Sequence, residues 1–180
     1  MVEQARLEQT PAGLAPAGDG WFAASIRELP WAQNEAMGAA CLFEAEGGTF
    51  PQVGYTLAVL GPGQPNGMYH RENQQEDFLV LAGECVLLIE GEERQLQAWD
   101  FVHCPAGTEH VFIGAGEGPC VIFMAGARCE QRTAVYPRSE LALRHGAGAE
   151  LETSSASEAY AGLPGWEPGP PGSWAGLPWG

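Results

Sequence analysis

The chain has 180 residues, a formal net charge of −15 and a sequence pI near 4.4. Only eight Lys and Arg residues are present, spread thinly, so no basic stripe exists for phosphate; nucleic acid is excluded and anionic membrane surfaces are disfavoured. Hydrophobic residues make up 45% of the chain, enough for one globular core with some terminal segment to spare.

Residues 1–20 are rich in Ala, Gly and Pro, show no periodicity and read as a flexible N-terminal arm. They hold no basic region followed by an apolar one, and nowhere does the chain approach the ~18 consecutive apolar residues of a membrane span. The expectation is a cytoplasmic protein. The five cysteines (Cys41, Cys85, Cys104, Cys120, Cys129) form no Cys-x-x-Cys pair and read as reduced, mostly buried thiols, with a disulfide or a reactive Cys104 as the alternative. Residues 21–49 are expected to be an extension that packs on the main domain, its first ordered stretch running from Trp21 to Ile26.

Between residues 50 and 128 one short apolar run follows another, each closed by turn residues. Tyr55 to Leu60 ends at Gly61-Pro62-Gly63, Phe78 to Ala82 at Gly83-Glu84, and Cys85 to Glu90 at Gly91-Glu92-Glu93. Arg94 to Leu96, Phe101 to His103, His110 to Ile113 and Cys120 to Met124 complete the series. Strand-like runs at this spacing, with Gly or Pro between them and no amphipathic helix among them, predict an all-β antiparallel sandwich or barrel and exclude a parallel α/β sheet.

Residues 129–180 form a C-terminal extension of different composition. Ser155-Ala156-Ser157-Glu158 has the form of a capping box and predicts a short helix through Tyr160. The Gly- and Pro-rich stretch from 162 to 180 carries Trp166, Trp174 and Trp179. Because a docked tryptophan buries ~150–250 Å², this tail is expected to wrap the domain or a neighbouring subunit.

Two clusters of potential ligands open strands in this series. His70-Arg71-Glu72 leads to Glu76 and the run from Phe78, and His103-Cys104-Pro105-Ala106-Gly107-Thr108-Glu109-His110 leads to Val111 and Phe112. In extended chain His70 and Glu72 share a face, as do Glu76, Phe78 and Val80, and again His110 and Phe112. Imidazole and carboxylate on one inner face suit Mn²⁺, Fe²⁺, Zn²⁺ or Ni²⁺. The plainer alternative is a pair of hydrogen-bonded interior histidines. Glu76, a carboxylate deep in such a domain, is costly unless paired or coordinated. Glu72 either coordinates, acts as a general base beside the metal, or reaches solvent. His103 reads as an ordinary strand histidine, with a supporting role behind the ligands as the alternative. Tyr69 and Arg71 alternate with the ligands and are expected to point outward. No nucleophile elbow, phosphate-binding loop or dinucleotide fingerprint is present.

With these residues in place the sequence resembles the cupin superfamily. The first family motif is Gly, five residues, His-x-His, three or four residues, Glu, six residues, Gly; His70, Glu76 and Gly83 fall at matching offsets. The second is Gly, five residues, Pro-x-Gly-x-x-His, three residues, Asn; Pro105, Gly107 and His110 match. The chain departs from the motifs at Glu72, where the family has a second His, at Gln64 and Trp99 in the opening Gly positions, and at Gly114 in place of the closing Asn. The resemblance implies a single cupin-type antiparallel β-barrel (a double-stranded β-helix) over residues 50–128, flanked by the N- and C-terminal extensions. It implies one divalent transition metal (Mn, Fe, Zn or Ni) held by His70, Glu72, Glu76 and His110, and a homodimer. It further implies a metal-dependent enzyme of dioxygenase or isomerase type acting on a small molecule. A non-catalytic small-molecule-binding module is the alternative, and a structural protein with a vestigial barrel a weaker third reading.

Overall fold

The structure, a computed structural model, describes residues 1–44 and 50–179. The end of the 21–49 extension, residues 45–49, and Gly180 lie outside the described residues. In chain order the elements begin with β1 (Arg6–Thr10), β2 (Gly13–Ala17), β3 (Trp31–Asn34), β4 (Gly38–Leu42) and β5 (Val53–Leu60). They continue with β6 (Arg71–Glu72), β7 (Glu76–Ala82), β8 (Glu84–Ile89), β9 (Glu92–Gln97) and β10 (Phe101–Cys104). The last are β11 (His110–Ala115), β12 (Cys120–Ala127), β13 (Ala134–Val135), α1 (Glu140–Arg144), α2 (Ala156–Ala159) and β14 (Glu167–Pro168). Every strand expected between residues 50 and 128 is present.

A seven-stranded antiparallel sheet runs in the order β10-β7-β12-β5-β4-β3-β14, and a three-stranded one in the order β11-β8-β9. The two face each other across one apolar core. Leu60, Phe78, Val80 and Ile122 enter it from the larger sheet, and Cys85, Leu87 and Phe112 from the smaller. Each such side chain contributes roughly 1.5–3 kcal/mol when fully buried.

Several strands are apolar on both faces, and the extensions explain why. On the outer face of the small sheet Leu88, Val111 and Ile113 pack with Tyr69 and with Ala142 of α1. On the outer face of the large sheet Leu57, Val59 and Val121 pack with Trp31 and Leu177, and Trp174 and Trp179 sit against this cluster. The Trp31 and Trp174 rings meet edge to face at 5.5 Å. The tail thus lies across its own domain, while Trp166 stays 44% exposed. Sheets covered on both sides read as continuous apolar runs rather than alternating ones.

Several expectations are corrected. Residues 1–20, read as a flexible arm, form the β1–β2 hairpin; the Thr10 hydroxyl donates to the Gly13 carbonyl at 2.8 Å, and Trp31 N–H donates to the Ala12 carbonyl at 2.9 Å. Polar side chains in β1 and small ones in β2 hide strands whose partners are backbone groups. The stretch from Trp21 to Ile26, expected as the first ordered one, is held at Trp21 by a parallel bridge to Gln4 and forms no strand; regular pairing of the extension starts at Trp31. The helix after Ser155 is present, but Ser155 makes no side-chain cap, and Glu158 instead accepts the Thr153 hydroxyl. Helix α1 was not anticipated; Ser139 caps it, accepting from Ala142 N–H at 3.3 Å. Tyr69, expected to point outward, does leave the inner face but is buried there, 1% exposed.

Two departures from the family motifs have physical consequences. At Gly114 a Cβ would stand 2.2 Å from the Gly61 carbonyl oxygen, so the Asn of the motif has no room. Trp99 occupies a Gly position and adopts the left-handed backbone region, φ 76°, fixed by its N–H bond to the Val80 carbonyl at 2.7 Å. A side chain there costs energy that Gly avoids. Its ring is 74% exposed and gives little back. Trp99→Gly is expected to exceed Trp99→Ser, which lacks the ring as well, by about 1 kcal/mol of unfolding free energy in urea titration; equal stabilities would show that the left-handed backbone carries no cost.

Candidate metal centre

Backbone pairing builds the site. His70 and His110 face each other as an isolated antiparallel bridge, His110 N–H donating to the His70 carbonyl at 2.8 Å and His70 N–H to the His110 carbonyl at 3.2 Å. Gly107 N–H donates to the Glu72 carbonyl at 2.7 Å, continuing the contact between the two motif segments. The ring centroids of His70 and His110 lie 5.0 Å apart. Glu76 enters from the start of β7, its Oε2 3.6 Å from His110 Nε2. The ligand atoms of His70, Glu76 and His110 all lie within 4.8 Å of one another.

The two imidazoles are oriented through their far nitrogens. His70 Nδ1 lies 2.7 Å from the Met68 carbonyl oxygen and His110 Nδ1 3.1 Å from that of Thr108. A carbonyl only accepts, so both Nδ1 atoms carry hydrogen and each neutral ring keeps its Nε2 lone pair for the centre. Burial pushes the His110 pKa down to about 4, with the neighbouring His70 adding to it, and burial lowers His70 as well. Burial raises the Glu76 pKa to about 7, the Glu72 charge adds to this, and Arg132 opposes it. Two neutral imidazoles and one carboxylate that is reluctant to stay charged alone form a donor set that a dication would satisfy. Protein ligands bound at ~2.0–2.2 Å stand roughly 3–3.5 Å apart, so the cluster would close by about an ångström around an ion.

Glu72 stands apart from this cluster of three donors. Its Oε1 is 3.8 Å from His70 Nε2, but both its oxygens are taken by Arg132, with Arg132 Nε donating to Oε2 at 2.8 Å and a terminal nitrogen to Oε1. Arg132 arrives because β13 pairs with β6, Ala134 opposite Glu72 and Val135 opposite Arg71. The same pairing brings the Tyr136 ring to 5.9 Å from that of His70. His103 lies outside, half-exposed, bonded to Asp77 at 2.6 Å. Cys104 is buried, and burial raises its thiol pKa to about 12, which leaves it unreactive at neutral pH.

The donors line a cavity of about 720 Å³ with Phe78 and Met124. At the same cavity Arg128 donates to Glu44 at 2.6 Å. Gln74, 7% exposed, also lines it. Sequence reasoning missed Arg128, Arg132 and Tyr136 because they follow the motif region. Gln74 had a signal, since it shares the parity of His70, Glu72 and Glu76.

Residues 56–126 match the family model described as the cupin domain. The chain carries a cupin domain. A sugar phosphate isomerase of the cupin superfamily from Silicibacter pomeroyi is similar in structure, with a TM-score of 0.58 and 21% identity over 67% of this chain and 89% of that one. The polyketide cyclase RemF from Streptomyces resistomycificus is similar at a TM-score of 0.52 and 12% identity, over 62% of this chain and 83% of that one. At these identities the likeness establishes the fold alone. A candidate sugar phosphate isomerase from Acidithiobacillus ferrooxidans is 26% identical with a TM-score of 0.44 over 46% of this chain, which spans 55% of that protein's length. No curated protein matches the sequence. Among the described residues no helix is long and apolar enough to cross a membrane.

The buried carboxyl of this cupin domain gives a pH test on metal-free protein. Unfolded, Glu76 ionises near its ordinary 4.5; folded, it holds its proton up to about 7. Its ionisation therefore leaves stability intact below pH 4.5 and removes it as the pH rises through 7. His110 acts in the opposite sense, its contribution being present above 6.5 and lost as pH falls through about 4. Comparing wild type with Glu76→Gln largely cancels the histidine effect. In EDTA, the variant is expected to gain about 3 kcal/mol relative to wild type between pH 4.5 and 8. A difference independent of pH, measured by urea titration, would show that Glu76 titrates normally.

Proposed function

We propose that this chain is a metal-dependent cupin enzyme of the dioxygenase or isomerase type, whose two sheets form the cupin β-barrel and whose cavity takes a small-molecule substrate. The observation that carries this reading is the trio His70, Glu76 and His110, gathered at one point of a cavity open to solvent. Three protein donors leave coordination positions for other ligands, as in catalytic rather than structural metal sites. A bound Mn, Fe, Zn or Ni dication would supply Lewis-acid polarisation of a substrate oxygen, or a site for O₂.

The chain's own residues do the rest. The Met68 and Thr108 carbonyls fix which imidazole nitrogen faces the centre. Phe78, whose ring lies 5.1 Å from that of His110, keeps water from the inner side. Glu72 stands beside His70 with its charge held by Arg132. That same contact favours a second reading, a non-catalytic small-molecule-binding module. A carboxylate held on both oxygens is a poor general base, so Glu72 serves in catalysis only if Arg132 releases it.

The protein is further proposed to work in the cytoplasm as a homodimer. The first is supported by its five unpaired cysteines. The second is supported by Trp99 and Phe101, 74% and 64% exposed at the free edge of the large sheet beside β10. The tail tryptophans Trp174 and Trp179 are already used within the chain.

Elemental analysis of the purified protein tests the metal reading. Wild type is expected to carry close to one equivalent of Mn, Fe, Zn or Ni, and a His70→Ala, His110→Ala double variant less than a tenth of that. No metal in wild type, even after incubation with these ions, would remove the basis of the enzyme reading. Light scattering on the same samples is expected to give twice the chain mass, falling to the chain mass in a Trp99→Ser, Phe101→Ser variant; a monomeric wild type would sink the dimer.

A further inference from the structure

Gln74 is the feature of the cavity that folding does not explain. It is 7% exposed, lines the same cavity as the three donors, and among the described residues neither its Nε2 nor its Oε1 has a hydrogen-bond partner. A primary amide offers two donors and two acceptors. Leaving such groups buried and unpaired costs about 1–3 kcal/mol each, a cost that a leucine would avoid. Neighbouring polar side chains do not relieve it. Asn73 is committed to the chain at residues 131 and 133, and Gln75 donates to Asp77. Glu72 is taken by Arg132.

We infer that Gln74 determines substrate specificity by receiving a hydroxyl of the bound molecule, and that this molecule is a small monoanionic polyhydroxy carboxylic acid. The inference rests on the metal reading above. Its first part follows from hydrogen-bond chemistry. Among simple polar groups a hydroxyl can donate to Oε1 and accept from Nε2, whereas a carboxylate only accepts and an ammonium only donates.

Its second part follows from charge. The guanidiniums of Arg128 and Arg132 are matched by Glu44 and Glu72, so neither brings a surplus charge to the cavity. Two neutral imidazoles and the Glu76 carboxylate around a dication leave one positive charge over. One carboxylate balances it. A phosphate ester, carrying close to two negative charges at neutral pH, overshoots. The cavity, about 720 Å³, has room for a chain of several carbons with its carboxylate at the centre and hydroxyls along the wall.

The test uses full-length protein loaded with Mn²⁺, its metal content measured before any ligand is added, and isothermal titration with gluconate, hexanoate and glucose 6-phosphate. Gluconate and hexanoate share charge and chain length and differ in hydroxyls; the phosphate ester differs in charge. Gluconate is expected to bind at least tenfold more tightly than either. Gln74→Leu is expected to lose at least tenfold of gluconate affinity while holding the same metal, and to melt no lower than wild type when metal-free. That combination separates a ligand contact from a structural role, which would lower stability and leave the ligand preference intact. Gln74→Met serves if the leucine variant does not fold.

Failure of gluconate to bind, gluconate no tighter than hexanoate, or full affinity in the variant would overturn the inference and leave the metal centre standing. Glucose 6-phosphate binding more tightly than gluconate would overturn the monoanion. A wild type that takes up no metal would overturn the inference together with the reading beneath it, and the metal measurement shows this before the titration begins.

Discussion

The site depends on one antiparallel backbone contact, the exchange of hydrogen bonds between His70 and His110 at 2.8 and 3.2 Å. It is only a bridge, outside any named ladder, yet it joins two segments forty residues apart and turns both imidazoles to the same side. The Gly107 to Glu72 bond extends it by one step. A slip of one residue in either segment would send its imidazole to the opposite face and part the pair. Either segment alone carries one imidazole of the pair, and one imidazole with one carboxylate is a weak ion site.

The surroundings hold that bridge in register. One core lies between the sheets, and two more apolar clusters lie outside them, against α1 and under the tryptophan tail. Covering the outer faces frees the strands from alternation and lets them carry Val, Leu and Ile at successive positions. The extensions are therefore part of how the cupin sheets stay dry. The β13 segment adds chemistry as well, bringing Arg132 onto Glu72 and Tyr136 beside His70.

Electrostatics in the cavity is a set of local settlements. Glu44 and Glu72 each have an arginine, and each histidine has a carbonyl behind it. Glu76 is buried beside the Glu72 charge, and its pKa is raised to about 7. Among the described residues Gln74 has no hydrogen-bond partner. Functional sites are where proteins tolerate such unmet demands, because an ion or ligand meets them later.

The strand series is legible in the amino-acid order, since turn residues and apolar runs are local signals, and so are His70, Glu76 and His110, because motif spacing fixes which side of a strand a residue faces. That order also carried enough to expect the short helix after Ser155, though not that Glu158 would turn to Thr153 instead of closing the capping box. Contacts between segments far apart in the chain emerge only once the chain is folded. Arg132 claims Glu72 across sixty residues, the tail tryptophans reach Trp31, and the first residues pair as a hairpin that no apolar periodicity announces. Spacing reports on neighbours along a strand. Which distant cation reaches a carboxylate, and so whether Glu72 is free to act, depends on strand pairing that no local pattern encodes.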